Sequence, residues 1–511
     1  MTARAPARPA QPTPLKMAGL KSLLKDTAVY GISSIIGRLL NWLLVPMYTY
    51  VFTQTGEYGI VTNLYSYVAV ALIILTYGME TGFFRFTNHE RWDNPKEVYT
   101  TSLLTIGTTS VIFAIGAWMA APSLSVLLDY GHHPEYIRMM GIAVAADAFT
   151  AIPFAYLRYQ KRAYRFAALK LIGIGLNILL NIFFIIVCPW LWHAAPAAIS
   201  WFYDPTFGIG YIFLANVICS LVTLLLLIPE LSGLKWRFNR TLLGEMLRYS
   251  LPLLILGLAG IMNQTVDKIL LPILEPDKQQ AMSDLGVYGA CYKVAVIMVM
   301  FLQAFRFAYE PFVFAKNREA GGDKMQTYSS VMTWFVAFGF LIFLGVMEFL
   351  PIIRYIISPT YFQGLKVVPV IMLAELFFGV FFNLSIWYKL TDRTSWGSWF
   401  SIGGLCITVT LNVLLVPRIS YMGCAWAALA CYSAMMTASY IIGQRKFPVP
   451  YRLGRLTVYT IAGIGLWLLG DLVKPGILAA DLAIGTLLIL VYVGLIYILE
   501  IQNARKSATT A

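Results

Sequence analysis

The stretch LLKDTAVYGISSIIGRLLNWLLVP, residues 23–46, decides how the chain is read. Thr27, Gly31, Ser34, Arg38 and Asn41 recur at spacings of 4, 3, 4 and 3, which places all five on one face of a helix. Ile, Leu, Val, Trp and Tyr occupy the other faces. Arg38 lies eight residues before Pro46, near the middle of that helix. A cation at such a depth is costly in lipid, so it faces a protein interior or a water-filled cavity. A second apolar run follows as far as Phe86, and 23–86 reads as two membrane helices joined by a short loop.

Working outward, 59% of the 511 residues are hydrophobic and only 12% are charged. Apolar runs of about 20 residues cross a bilayer. Fourteen are present: 24–46, 58–84, 98–120, 136–158, 167–192, 207–228, 246–272, 286–315, 328–350, 366–389, 396–416, 421–442, 455–473 and 477–500; the first helix is expected to end at Leu44-Val45-Pro46, and 190–206, rich in Trp and Pro, reads as an outer loop suited to an interfacial segment. The predicted fold class is therefore an all-α integral membrane protein.

The net charge of +13 invites a nucleic-acid reading, but the placement of the charges excludes it. With residue 1 placed in the cytoplasm, 29 of the 38 Lys and Arg fall on cytoplasmic segments, the most basic loop counted with Arg158, Lys161, Arg162, Arg165 and Lys170. Six fall on outer loops or outer helix ends, and Arg38, Lys268 and Lys293 lie within the membrane. This bias predicts that both termini are cytoplasmic. Residues 1–22, rich in Pro, Ala and Arg, read as a disordered cytoplasmic tail without the apolar core of a signal peptide.

Cys188, Cys219, Cys291, Cys406, Cys424 and Cys431 all fall in apolar spans without metal-binding spacing and read as small core fillers. His89, His132, His133 and His193 sit at loop positions. No metal or cofactor is expected. No phosphate-binding GxxxxGK[ST] loop is present, so ATP is not expected to be consumed.

The opening pattern then returns. Asp267-Lys268-Ile269-Leu270-Leu271-Pro272 lies over Asn41-Trp42-Leu43-Leu44-Val45-Pro46, which sets Gln264 on Arg38 and Gly260 on Ser34. Leu285-Gly286-Val287 lies over Tyr58-Gly59-Ile60, Tyr292 over Tyr65, and Lys293 over Ser66. Leu411-Asn412-Val413-Leu414-Leu415 repeats Leu176-Asn177-Ile178-Leu179-Leu180. Repeats of six helices that both start in the cytoplasm are parallel, related by an axis along the membrane normal. The expected lobes are 23–229 and 246–443, joined by a basic cytoplasmic linker, 230–245. Residues 444–511 add two further helices and a tail. The outer loops are too short for a catalytic domain.

The ionisable residues at depth are the candidate site. Arg38, Lys293, Lys268 and Arg306 are the cations expected to line a cavity between the lobes and attract an anionic group such as a diphosphate. Arg suits this role because its fork bonds phosphate oxygens in pairs and stays charged. Arg306, close to the inner surface with Glu310, also reads as a gate residue. Asp267, Glu375, Asp147 and Glu80 are read as ion-coupling carboxylates or as charge partners of these cations. Ser34, Asn41, Asn263 and Gln264 complete the expected polar face. The alternative for Lys268 is a side chain that snorkels to the outer interface.

At this point the chain resembles the bacterial polysaccharide flippases, the O-antigen and capsule exporters of the multidrug/oligosaccharidyl-lipid/polysaccharide superfamily. The features that carry the likeness are the fourteen spans, Lys25-Asp26-Thr27-Ala28-Val29-Tyr30-Gly31, Pro46 and Gly56-Glu57-Tyr58-Gly59. The resemblance implies movement of an undecaprenyl-diphosphate-linked oligosaccharide across the inner membrane, by alternating access of the two lobes and without enzymatic activity. It also implies a monomer working with membrane lipids, a polysaccharide polymerase and other assembly proteins. An ion-coupled multidrug exporter and a flippase of the peptidoglycan lipid precursor are the alternatives. The first calls for an acidic residue in helix one, where this chain has Arg38.

Overall fold

The computed structural model describes residues 36–89, 91–92, 94–130, 133–232, 234, 236–318 and 324–502. Among them every regular element is helical. A helix over 36–42 passes through one turn residue into Leu44–Val51, together α1. Then come Thr55–Thr87 (α2), Pro95–Leu127 (α3), Pro134–Tyr159 (α4), Ala163–Ala194 (α5) and Gly210–Leu226 (α6). Arg240–Leu274 (α7), Ala281–Arg318 (α8), Lys324–Glu348 (α9), Pro359–Leu390 (α10), Ser395–Ile419 (α11) and Tyr421–Lys446 (α12) follow. Leu453–Val473 (α13) and Leu478–Glu500 (α14) end the bundle. Twelve of these helices are long and apolar enough to cross a membrane, and α6 is shorter. The chain is a multi-pass membrane protein. Ser34 and the expected 1–22 tail lie outside the described residues.

Local chemistry sets the ends. Asn94 caps α3 by accepting from the Lys96 N–H at 3.1 Å, with Pro95 in the first turn. Asn239 caps α7 by accepting from the Leu242 N–H at 3.0 Å. Both satisfy N–H groups that have no partner within the helix. Two sequence expectations are corrected here. Pro46 does not end α1: the turn at Leu43 has already interrupted the ladder, so Pro46 falls in the first turn of the next segment, where its missing N–H costs nothing. Nor is 190–206 all loop, because α5 runs to Ala194 and a short helix, Pro196–Ile199, follows. Pro189 cannot donate to the preceding turn, and beside it α5 widens into a π-turn at Phe183–Val187.

Inside the first half, α3 and α6 pack against α4, and α5 packs on α6. In the second half α11 joins α7 to α12, α10 packs on α12 and α8, and α9 carries α13 and α14. The halves meet where α2 lies along α8 and α7. Aromatic and branched residues of α2, α8, α9 and α10 form the main core, whereas α3, α13 and α14 leave Val111, Ile112, Leu472 and Leu487 exposed on lipid-facing surface.

The contact of α2 with α8 is built on the repeat. A Cβ on Gly59 would stand 1.9 Å from the Met282 carbonyl oxygen, and one on Gly286 would stand 1.8 Å from the Thr55 carbonyl oxygen. Glycines that the internal repeat superposes thus face each other, each admitting the other helix's backbone. Thr55 and Ser283 hydroxyls share a 2.5 Å hydrogen bond there, and Gly289 receives the Thr62 side chain. Beside them the Tyr361 hydroxyl donates to the Phe52 carbonyl at 2.8 Å, and the Tyr50 hydroxyl to the Tyr355 carbonyl at 3.1 Å. These contacts join the two halves at the predicted outer end. Toward the predicted inner end α2 breaks at Tyr77-Gly78, where Gly78 has φ +70° and meets Ser250 and Leu253 of α7. Left-handed backbone is cheapest for glycine.

Candidate functional site

The interior between the halves is built from α1, α7, α8 and α10. The Trp42 indole N–H donates to the Lys293 carbonyl at 2.7 Å and fixes α1 against α8. One turn earlier on α1, Arg38 is exposed, within electrostatic reach of Arg306 on α8. The Arg306 guanidinium lies 4.1 Å above the Phe382 ring, which supports it without neutralising it. Lys293 lies within electrostatic reach of Lys268. Among the described residues no carboxylate comes within ion-pair distance of Arg38, Lys293 or Arg306. Arg38 thus has a second guanidinium as its electrostatic neighbour and Lys293 a second ammonium, while Glu310 lies within electrostatic reach of Arg306; an anion that reaches either pair relieves a like-charge repulsion.

The carboxylates are otherwise engaged. Lys268 does not reach for an interface: its ammonium lies 3.2 Å from the Asp267 carboxylate, donates to the Gln264 carbonyl at 2.9 Å and sits 4.3 Å from the Tyr292 ring centre. The Tyr288 hydroxyl donates to Asp267 at 2.7 Å, and the Tyr292 hydroxyl to Glu375 at 2.8 Å. Asp267 and Glu375 are both buried. At the predicted inner end Lys389 pairs with Glu310 at 2.7 Å, and Arg158 pairs with Glu80.

The expected polar face divides. Gln264 and Asn41 are exposed, Asn41 onto a cavity, but Asn263 is buried. Its amide donates to the Ser401 carbonyl at 2.8 Å, and its carbonyl accepts from the Tyr432 hydroxyl at 3.3 Å. It belongs to the packing of α7 against α11 and α12. Neighbouring positions on a helix point about 100° apart, so a polar stripe can serve two different interfaces.

Asp147 lies elsewhere, in a half-open cavity of about 640 Å³ lined within the first half by α1, α2, α4, α5 and α6. It is exposed to that cavity, the Ser220 hydroxyl faces it, and Lys170 is its electrostatic neighbour. Sequence reasoning places Lys170 in a cytoplasmic loop. In the structure α5 begins at Ala163, and Lys170 sits two turns inside it, its ammonium 3.9 Å from the Phe154 ring centre. Trp42, Tyr288, Tyr292 and Phe382 were also missed, since an aromatic residue in a membrane helix carries no signal that it will meet a charge.

A helical bundle with a charged chamber between two halves is a transporter architecture. The family model described as polysaccharide biosynthesis protein matches residues 23–311, and the chain belongs to that family. A search of curated protein sequences finds no match. Among solved structures the fold is similar to "Lipid II flippase MurJ, inward closed conformation", at TM-score 0.70 and 12% identity over 92% of this chain and 99% of that one. It is similar to an inward-facing multidrug resistance MATE family transporter of the MOP superfamily, at TM-score 0.63 and 14% identity over 83% and 95% of the two chains. An outward-facing MATE transporter of that superfamily superposes at TM-score 0.51, also at 14% identity, over 86% and 96%.

Proposed function

We propose that the protein is a flippase that carries an undecaprenyl-diphosphate-linked oligosaccharide, the repeat unit of an O-antigen, capsule or exopolysaccharide, across the bacterial inner membrane by alternating access. The observation that carries this reading is the set of cations Arg38, Lys293 and Arg306, none within ion-pair distance of a carboxylate among the described residues, on α1 and α8 where the halves meet; in this reading they line one chamber, joined shut at its predicted outer end. A diphosphate supplies the missing negative charge, and two guanidiniums with an ammonium supply bidentate and point contacts to its oxygens. Cationic drugs are disfavoured in the same chamber, because the net charge there is positive. Family membership supports a role in polysaccharide export and says nothing of which glycan is carried.

In this reading both termini are cytoplasmic, 23–229 and 246–443 rock against each other about the 230–245 linker, and the polymerase and other assembly proteins receive the product. Lys268, held by Asp267, tunes the chamber rather than binding directly. Asp147, Asp267 and Glu375 are the candidate carboxylates for coupling to protons or sodium, and transport insensitive to both gradients removes that role. The decisive experiment is deletion of the gene and complementation with Arg38→Ala and Lys293→Ala at matched expression. Loss of one surface polysaccharide, with its lipid-linked repeat unit retained on the cytoplasmic side, is expected. Normal polysaccharide in both variants refutes the assignment.

A further inference from the structure

The cavity around Asp147 is not explained by the diphosphate chamber. At about 640 Å³ it lies within the range of about 300–1,000 Å³ typical of small-molecule sites, and is many times the volume of about 30 Å³ that one water takes up. It is too large for a dedicated cation site. Its polar lining is not of one sign: Asp147 and Lys170 both line it, exposed and within electrostatic reach, with no ion pair between them among the described residues, and the paired Glu80 and Arg158 line it too. Unlike the chamber, which offers donors only, it offers both donors and acceptors.

Neutral groups extend that pattern. The Asn216 amide spends its donors on the Tyr65 hydroxyl and the Ile212 carbonyl, leaving its carbonyl oxygen without a hydrogen-bond partner among the described residues. Asn41 is the converse: its carbonyl accepts from Asn177, and its amide N–H groups are unused. Thr150 donates to its own helix, which leaves its oxygen free to accept. Phe154 and Phe166, packed edge to face at 5.4 Å, supply apolar wall. Hydroxyls that donate and accept, set on rings with apolar C–H faces, are what such a lining satisfies, and those are sugars.

Placement links the cavity to the chamber. Asn41 lies three residues beyond Arg38 on α1, an axial rise of about 4.5 Å. A headgroup whose phosphates sit at Arg38 has its sugars within reach of the cavity past Asn41.

We propose that the half-open cavity lined by α1, α2, α4, α5 and α6 is a glycan subsite, which takes the sugars of the lipid-linked headgroup while the cations of the proposed chamber hold its diphosphate. This rests on the flippase reading. Asp147 and Lys170 fit it to sugars bearing an amino or carboxylate substituent as well as neutral ones.

The test uses the full-length protein in nanodiscs, with two probes: undecaprenyl diphosphate without sugar, and undecaprenyl diphosphate carrying the repeat unit extracted from the producing strain. The parent protein is expected to bind the glycosylated probe at least tenfold more tightly. Lys170→Gln and Asn216→Leu are each expected to remove about tenfold of that preference and leave affinity for the bare lipid diphosphate unchanged, while Arg38→Gln weakens both probes. Equal effects on both probes, or none, in the cavity variants overturn the proposal even if Arg38→Gln behaves as expected. So does a change confined to ion dependence. If Arg38→Gln alters neither probe, the flippase assignment falls and this subsite with it. Asn216 also anchors Tyr65, so if its variant does not fold, Lys170→Gln, whose side chain opens onto the cavity, decides.

Discussion

Gly286→Ala is expected to force the seal between α2 and α8 open. The alanine Cβ would stand 1.8 Å from the Thr55 carbonyl oxygen and 2.9 Å from the Gly59 nitrogen, both backbone atoms that no rotamer change can move. Cβ atoms essentially never approach closer than 3.0 Å, so the helices must part by more than about 1 Å at this point. Overpacking of this kind typically costs about 1–3 kcal/mol. Only the conformation that holds α2 against α8 bears that cost, and relieving it shifts the balance toward the opened state about 5- to 150-fold. The native Cys291 reports the change. It is fully buried one turn or so below Gly286, with its thiol 3.3 Å from the Tyr361 carbonyl. In a protein retaining Cys291 as its sole cysteine, a membrane-impermeant maleimide applied from outside is expected to label Gly286→Ala rapidly and the parent hardly at all. Gly260→Ala is the control, since its Cβ meets nothing within 4 Å and should be neutral. A folded Gly286→Ala protein whose Cys291 stays as protected as in the parent refutes the reasoning.

Other outcomes follow from single contacts. Glu348 is fully buried at the end of α9, its carboxylate 2.8 Å from the Lys474 ammonium and enclosed by Gly470 and Gly485 of the last two helices. Glu348→Ala strands Lys474 and is expected to cost about 3–5 kcal/mol, read as a fall in Tm of the purified protein, whereas the double variant Glu348→Leu with Lys474→Met recovers much of the loss. Tyr292→Phe deletes the donor to buried Glu375 and is expected to cost about 1–3 kcal/mol in the same assay. An unchanged Tm in either case contradicts the partner assigned. The Arg38→Ala and Lys293→Ala complementation and the two-probe binding measurement test the chamber and the cavity.

Much of the molecule is legible without coordinates. Transfer of a segment into lipid depends on its own composition, so the spans could be placed from hydropathy alone, and among the described residues the helices from α2 onward follow them. Depth is equally local, which is why Arg38, Lys268, Lys293, Asp267 and Glu375 could be singled out by counting from the helix ends. The repeat even brought Gly59 and Gly286 into register before their contact was visible.

Facing is not local. Asn263 and Gln264 are adjacent and equally polar, yet one packs against α11 and α12 while the other is left exposed, because that choice belongs to the neighbouring helices. Glu80 is engaged by Arg158, 78 positions away, and Lys170 counts as a cytoplasmic charge until α5 is seen to start early enough to carry it beside Asp147. The sequence by itself determined which segments are apolar enough to enter a membrane, since each segment's transfer depends on its own solvation. Only the tertiary structure decided which charges neutralise one another and which are left for a ligand, since Coulomb energy and hydrogen bonding depend on distances that only packed helices define.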